Sequence, residues 1–277
     1  MYRTSIASSK DREEVIAFLG KQGLLENAWL IWDISTVFQY NPDGIYSLLI
    51  CRLHDDIVGV AFILDYRRIP PSSSGSKPDH DYDSRIDAAN RDAVKALLEA
   101  FPTDALGNFR IFRPMIQEYF RELPDAKRIE GDLYFSVSAE RFRPVTGESV
   151  IELTADDVGL FEGCEKKRSW EHSKSQVFAI MRDDRVATSV RVGAVIPKTA
   201  KAKRRVIAII DLYTETKYRR MGLGRQLVSH VTGKILNDGN VPIYWTEPEN
   251  FASQSLAKSL GYWQIGQMIT YRWRKRA

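Results

Sequence analysis

The sequence predicts an α/β (α+β) protein made of two similar modules, each with a mixed, mainly antiparallel sheet flanked by helices. The 277 residues include 44% hydrophobic and 27% charged residues, which is the composition of a globular chain that buries a core. Short β-branched runs alternate with amphipathic stretches along the chain. The order strand, helix, hairpin occurs in each half, which indicates either an internal duplication or a coincidence of common motifs.

Composition also restricts the class of protein. The 40 Lys and Arg exceed the 36 Asp and Glu by a net charge of +4, which does not by itself indicate nucleic-acid binding. The two cysteines, Cys51 and Cys164, form no disulfide framework, and the four histidines lack metal-ligand spacing. No apolar run approaches the length of about 18 residues that spans a bilayer, and the start resembles no signal peptide. We therefore expect a cytoplasmic protein with no metal and no membrane partner.

The first half begins with a short strand. Ser8 and Asp11 then match a capping box, which predicts the start of a helix. Two apolar runs on either side of Leu53–Asp56 predict a β-hairpin. The Pro- and Ser-rich stretch Pro70–Pro78 predicts a loop, and the apolar spacing within Asn90–Ala100 predicts a helix.

The second half repeats this order. Ser149–Leu153 alternates as a half-buried strand does, and Thr154 with Asp157 matches a second capping box. A helix is predicted over Val158–Cys164, and two apolar runs on either side of Arg182–Arg185 predict a second hairpin.

The boundary between the modules is predicted from a break in these patterns. Leu133–Val137 predicts the last strand of the first module, and Pro144 and Gly147 interrupt the regular pattern after it. The predicted domains are therefore residues 1–143 and 144–277.

The chemistry is predicted where a strand meets a glycine-rich turn. Arg205–Thr214 is a β-branched run typical of a buried strand, and a turn with Gly222 and Gly224 follows. The next apolar residues form one helical stripe, which ends at Asn237–Gly239: Leu223, Leu227, Val231 and Ile235. Val241–Thr246 then predicts another strand.

Such a turn is suited to binding a phosphate. The first amides of a helix have no partner within the helix, and the helix dipole places partial positive charge there. Glycines let the backbone approach an anion, and three arginines add charge: Arg219, Arg220 and Arg225. The alternative is a tight turn that needs glycine, with the arginines on a solvated face.

These motifs resemble the GNAT superfamily of acyl-CoA-dependent N-acetyltransferases. Arg219-x-x-Gly222-x-Gly224 is similar to the family's pyrophosphate loop, and Asn250–Tyr262 is similar to its final helix. The resemblance covers roughly Ser149 to Trp273. The first half has no such loop, since Leu106–Phe109 offers a single glycine, and it is therefore interpreted as a degenerate copy of the same fold.

The resemblance implies acetyl-CoA as cosubstrate. Backbone groups around Leu212, Tyr213 and Thr214 would pair with the pantetheine arm, and the amides of Met221 to Gln226 would hold the pyrophosphate. The implied cofactor-binding residues are Leu212, Tyr213, Thr214, Arg219, Arg220, Met221, Gly222, Leu223, Gly224, Arg225, Gln226, Asn250 and Ser253. A substrate amine would attack the thioester directly, which requires a base or a water path to one.

Three residues are candidates for catalysis: Asp211, Tyr213 and Glu247. Strand alternation places Asp211 on the same face as Ile207 and Ile209, where burial would raise the pKa of its carboxyl. The alternative is that Asp211 pairs with a nearby arginine or lies at the exposed end of the strand. Glu247 is a rival base, as are Glu215 and Glu249, and an amide near Tyr213 could polarise the thioester carbonyl.

One position departs from the family pattern. Many members carry a tyrosine that protonates the leaving thiolate where this chain has Ala257. The leading hypothesis is an acetyltransferase acting on a primary amine. Two alternatives stay open: a CoA-binding regulatory module without turnover, indicated by Ala257, and an RNA-associated protein using the basic tail. For the leading hypothesis, the expected partner is a small-molecule or protein amine, not nucleic acid, and a homodimer stays open.

Overall fold

The computed structural model describes residues 1–39, 44–69, 78–154, 157, 160, 176–196 and 204–276. Its contacts divide the chain into two compact units, Met1–Asp132 with Gly266–Ala277, and Leu133–Ile265. The predicted fold class is confirmed, because each unit contains a mixed, mainly antiparallel sheet with helices packed against it.

The described residues form twelve strands and six α-helices. The strands are β1 (Tyr2–Ile6), β2 (Tyr46–Leu53), β3 (Asp56–Asp65), β4 (Tyr82–Ala88), β5 (Leu106–Ile111), β6 (Lys127–Ser136), β7 (Ile151–Leu153), β8 (Gln176–Arg182), β9 (Arg185–Ile196), β10 (Val206–Thr214), β11 (Val241–Thr246) and β12 (Trp263–Arg274). The helices are α1 (Arg12–Gly23), α2 (Ala28–Gln39), α3 (Arg91–Glu99), α4 (Pro114–Glu122), α5 (Leu223–Asn237) and α6 (Phe251–Ser259).

The two units have the same sheet topology. In the first unit the strands pair in the order β1-β2-β3-β4-β5-β12, and in the second in the order β7-β8-β9-β10-β11-β6. In each order one pair is parallel, β4 with β5 and β10 with β11, and a helix connects its strands: α3 in the first unit and α5 in the second. This repeated order supports the internal duplication over the coincidence.

The sixth strand of each sheet comes from the other half of the sequence. β12 pairs with β5 from Ile269 to Arg274, and β6 pairs with β11 from Leu133 to Ser136. The units consequently divide after Asp132 and after Ile265, whereas the sequence placed one boundary between residues 143 and 144. The division into domains 1–143 and 144–277 stays a prediction.

The larger described core cluster of the second unit packs α5 and α6 against its sheet. The predicted helical stripe of α5 is buried there, with Leu227 and Val231 at most 1% exposed. α6 packs beside it through Ala257 and Leu260. Gly261 ends this helix with a φ of +90°, as predicted for a left-handed cap.

Local signals also predicted the two hairpins and the helix within Asn90–Ala100 correctly, whereas α2, β4 and α4 were not predicted. Both hairpins form, and the second turns at Asp183 and Asp184, which both have positive φ as a tight hairpin turn requires. The side chains of Asp11 and Asp157 complete the two capping boxes. Of the helix predicted over 158–164, only position 160 is among the described residues. Residues 70–77 of the predicted loop also lie outside them. Within the described part of the chain, no helix is long and apolar enough to cross a membrane.

Candidate active site

Strand β10 contains a bulge at the centre of the candidate site. Its pairing with β9 shifts register between Ile210 and Tyr213, so Asp211 and Leu212 together oppose one residue of β9. Asp211 has a φ of +52°, in the left-handed region. An extra residue reverses the side-chain alternation, and Leu212 packs against the same core as Ile209. The prediction that Asp211 shares that face is therefore wrong, because the bulge turns it to the other side.

The three candidate catalytic residues lie around this bulge and at the end of the neighbouring strand. Asp211 is exposed and forms an ion pair with Arg191, which is the alternative that the sequence left open. Tyr213 is half-buried, and its carbonyl accepts a hydrogen bond of 2.7 Å from the Thr188 hydroxyl. Glu247 is exposed and directly follows β11. None of the three is buried, so their roles depend on a bound substrate.

Strands β10 and β11 part beside the bulge. Their parallel pairing runs from Val206 opposite Val241 to Ile209 opposite Tyr244, and β10 continues to Thr214. Residues 210–214 therefore extend past the paired part of β11. An extended ligand can add to backbone of this kind as a further strand, which fits the prediction for Leu212 and Thr214.

The turn after β10 is anchored before it reaches the glycines. The Tyr218 hydroxyl hydrogen-bonds to Asp183 in the β8–β9 turn, and Nε of Arg219 donates to the Thr214 carbonyl at 3.1 Å. Arg220 and Gly222 both adopt left-handed backbone, with φ of +64° and +80°. Left-handed residues in such turns help to direct successive amides toward one concave point, a geometry that binds anions.

Helix α5 begins without a side-chain cap. Gly222 is its N-cap residue, and no side chain among the described residues caps the helix there, so the first amides are open to solvent or a ligand. Three arginines around this end are exposed: Arg219, Arg220 and Arg225. A Cβ on Gly224 would lie 3.4 Å from Oγ1 of Thr214, so the backbone of this turn packs closely against the end of β10. The residues present fit a bound diphosphate.

The remaining members of the predicted loop differ in exposure. Met221 is 56% exposed, whereas Leu223 is 2% exposed in the core. Gln226 is half-buried, and its Oε1 accepts a hydrogen bond of 3.1 Å from the amide of Glu148. This contact fixes the Gln226 side chain beside Gly222, and nothing in the local sequence indicated it.

The equivalent helix of the first unit begins differently. α3 follows β4 after two residues, and Oδ1 of Asn90 accepts a hydrogen bond of 2.9 Å from the amide of Ala93. The side chain therefore occupies the helix end that α5 leaves open. This observation supports the interpretation of the first module as a degenerate copy with no phosphate loop.

Helix α6 places two predicted cofactor-binding residues at its start. Asn250 is the N-cap residue, and its Oδ1 accepts a hydrogen bond of 3.1 Å from the amide of Ser253. The Ser253 hydroxyl lies 2.5 Å from the Tyr244 hydroxyl. The pKa of Tyr244 is raised above its ordinary value, because burial raises it by more than the hydrogen bond with Ser253 lowers it. Tyr244 could not be identified from the sequence, because a hydroxyl pair between a strand and a helix has no local sequence signal.

The basic C-terminal stretch is part of the first unit. Tyr271 is 2% exposed in its core, and Trp273 packs against that core. Arg272 donates two hydrogen bonds to Asp79, at 2.8 and 2.9 Å. These aromatic rings are therefore packed against protein, whereas the RNA hypothesis requires rings that stack on bases.

Solved structures with a similar fold cover almost the whole chain. A Drosophila protein aligns over 99% of both chains with a TM-score of 0.62 and 12% identity. A tandem GNAT protein from the clavulanic acid biosynthesis pathway, solved without AcCoA, aligns over 99% of this chain and 98% of its own, with a TM-score of 0.59 and 11% identity. An acetyltransferase from the GNAT family of Colwellia psychrerythraea covers 98% of this chain and 100% of its own, with a TM-score of 0.56 and 8% identity.

One sequence family also matches the chain. Residues 200–273 match the family described as FR47-like protein, and this range contains the open start of α5 and all of α6. No curated protein sequence matches the chain.

Proposed function

We propose that this chain, which has the fold of the GNAT superfamily, is an acetyltransferase that moves an acetyl group from acetyl-CoA to a primary amine. The amine, on a small molecule or a protein, would attack directly in a ternary complex. The second module would bind the cosubstrate. No metal takes part in this proposal.

The observation that carries the proposal is the open start of α5. Two left-handed residues, a helix end without a side-chain cap and three exposed arginines together suit a diphosphate. The bulged end of β10 directly precedes this turn in the chain. A chain that only needed a tight turn could cap the helix with a side chain, as Asn90 does for α3.

Each group at the site has a proposed task. The amides of Met221 to Arg225 would hold the pyrophosphate, because the amide of Gln226 already donates to the Gly222 carbonyl at 3.1 Å. Asn250 and Ser253 would contact the cosubstrate from the start of α6. Backbone groups of Leu212 to Thr214 would pair with the pantetheine arm. Acetyl-CoA supplies an activated acyl thioester, and an amide near Leu212 or Tyr213 would polarise its carbonyl. Asp211, or Glu247 as a rival, would accept the proton of the attacking amine.

The direct test is thiol release from acetyl-CoA in the presence of a panel of primary amines. We expect release that depends on both the amine and the protein. Tight CoA binding with no amine-dependent release would instead favour the regulatory module, an alternative supported by Ala257, which offers only a methyl group in the core of the second unit. Absence of CoA binding would reject both.

Asp211→Asn is expected to lower kcat by about 100-fold, because a general base contributes at least this factor. Its affinity for acetyl-CoA should stay unchanged, since the phosphate loop is untouched. Asp238→Asn, an exposed charge at the far end of α5, serves as the control. An unchanged kcat in Asp211→Asn would remove Asp211 as the base.

A further inference from the structure

We propose that the acceptor amine is an aromatic α-amino acid, held by Arg191 through its carboxylate and by Asp211 through its ammonium group. This inference rests on the proposed function and names the substrate class of the same site. It separates zwitterions, which carry both charges, from amines that carry a positive charge alone.

The ion pair of Arg191 and Asp211 lies where the strands of the second unit part. Arg191 pairs with Ile210 in the ladder between β9 and β10, directly before the bulge that begins at Asp211. Ile210 is also the first β10 residue beyond the part paired with β11, which ends at Ile209 opposite Tyr244. The side chains of Arg191 and Asp211 are 24% and 35% exposed, so a ligand at this opening can contact both.

Both charged side chains lie on the face of the sheet that points away from α5 and α6. Val190 and Val192, on either side of Arg191, belong to the core that contains α5, so strand alternation turns Arg191 to the opposite face. The bulge turns Asp211 to the same side, where the two side chains meet. An acceptor bound by this pair would therefore lie beside the β10 backbone that is proposed to hold the thioester.

Two aromatic rings line the same face on the other side of the opening. Tyr244 and Phe135 belong to the core that contains α5, so alternation turns their neighbours Trp245 and Tyr134 to the opposite face. The rings of Trp245 and Tyr134 are stacked, with centroids 6.0 Å apart and an angle of 16° between their planes. Trp245 is half-buried and directly follows the last β11 residue paired with β10. An aromatic side chain that extends from the acceptor toward β11 would pack against this ring pair.

The ion pair suits a zwitterion because its charges are adjacent and opposite. The ammonium and carboxylate of an α-amino acid are attached to one carbon, so they can contact both members of the pair at once. The Arg191 guanidinium carries several N–H donors in a planar fork, so it can hold a ligand carboxylate together with that of Asp211. A polyamine or a lysine side chain brings positive charge alone, which Arg191 would repel.

Acetyl transfer to such an acceptor balances in protons and electrons. The ammonium group loses two protons, and its nitrogen forms a bond to the acetyl carbon. The carbon–sulfur bond breaks, and its electron pair goes to sulfur. One proton ends on the sulfur, and the other passes through the base to solvent. The products are CoA with a neutral thiol and an N-acetyl amino acid that keeps its carboxylate.

The test compares L-phenylalanine with its carboxamide, which lacks the carboxylate. We expect the wild-type protein to have the higher kcat/KM for L-phenylalanine, and Arg191→Gln to lower the ratio of the two values by about 10- to 100-fold, the usual contribution of hydrogen bonds to a charged group. The ratio isolates the carboxylate contact, because any effect of the variant on Asp211 or on CoA binding applies to both acceptors. Arg191→Lys keeps the charge without the fork and should give an intermediate ratio.

Arg52→Gln is the matched control for the arginine. Arg52 also lies on a strand, its side chain is also 24% exposed, and it forms ion pairs with carboxylates of the first unit, Asp11 and Glu14. This variant should leave the ratio of the two acceptors unchanged.

A second variant tests the aromatic part of the assignment. Trp245→Leu should lower the preference for L-phenylalanine over L-alanine by about 3- to 10-fold, the contribution expected of an aromatic pair. Trp263→Leu also removes a half-buried tryptophan from the second unit, and it should leave this preference unchanged. An unchanged preference in Trp245→Leu would overturn the aromatic side chain of the acceptor.

The outcomes separate this inference from the proposed function. If no amine releases thiol from acetyl-CoA, both are overturned. If thiol is released but polyamines or lysine peptides react as well as L-phenylalanine, or Arg191→Gln leaves the ratio unchanged, the amino-acid acceptor alone is rejected. Should Arg191→Gln fail to fold, Arg191→Lys tests the same contact, and a ratio equal to that of the wild-type protein would reject it.

Discussion

Gly222→Asp is expected to weaken acetyl-CoA binding by about a thousandfold while the protein stays folded. The new carboxylate would lie at the helix end proposed to hold the diphosphate. Two like charges about 4 Å apart near a protein surface repel by about 4 kcal/mol, which corresponds to that change in Kd. A side chain at Gly222 finds space, because the nearest atom to its Cβ is Nε2 of Gln226 at 3.8 Å. Calorimetric titration with acetyl-CoA measures the loss.

The control for this variant lies at the other end of α5. Gly239 also has positive φ, +71°, and a Cβ there meets nothing within 4 Å. Gly239→Asp therefore introduces the same charge and the same backbone strain away from the proposed loop, and it should leave the affinity unchanged. Gly222→Ala separates strain from charge and should weaken binding far less than Gly222→Asp. Equal affinities for Gly222→Asp and the wild-type protein would remove the loop assignment.

The open helix start is predictable from sequence because its determinants are local. Gly222 and Gly224 are adjacent to the apolar stripe of α5, and helix periodicity fixes which face is buried. The bulge is a different kind of feature. It depends on the register between β9 and β10, so the run Arg205–Thr214 gives no sign that Asp211 changes face. Alternation predicts side-chain direction only where the ladder is regular.

The sixth strands show a second limit. The sequence of a strand indicates which of its residues are buried, but it does not indicate which neighbouring strand it pairs with. Tyr271 and Trp273 have the alternation of a buried strand face and also the mixture of rings and charges expected of a nucleic-acid tail. Their pairing with β5 gives the burial that distinguishes the two.

The starts of α3 and α5 differ although the two units share a strand order: the start of α3 is capped by a side chain, and the start of α5 is not. Both α3 and α5 connect the parallel strand pair of their unit. At the start of α3, the short connection lets the Asn90 side chain accept a hydrogen bond from the amide of Ala93. At the start of α5, the longer turn ends in Gly222, which has no side chain that could accept such a hydrogen bond. The difference between the modules therefore lies in the turn and its capping residue, since the strand order is shared.

Asp87→Asn is expected to destabilise the protein by about 3–5 kcal/mol, the usual effect of breaking a buried ion pair. Asp87 is 2% exposed in the first unit. Its carboxylate accepts hydrogen bonds from Nε of Arg113 at 2.5 Å and from Nη2 at 2.8 Å. It also accepts one of 2.8 Å from the Asn27 side chain, which joins the segment between α1 and α2 to β4. In Asp87→Asn the new NH2 group would face the N–H groups of Arg113 or Asn27, so a hydrogen bond would be lost. The Arg113 guanidinium would also lose its negatively charged partner.

Urea unfolding followed by tryptophan fluorescence measures this effect as a lower midpoint. The loss is a large part of the about 5–15 kcal/mol by which proteins are stable. Glu122→Gln is the matched control, because it also removes a carboxylate paired with an arginine, Arg91, but both side chains are exposed at 62% and 44%. Exposed pairs contribute little, so its midpoint should equal that of the wild-type protein. If the two variants unfold at the same urea concentration, the Asp87 network does not hold α1 and α2 to the sheet, and the apolar contacts of these helices carry that attachment.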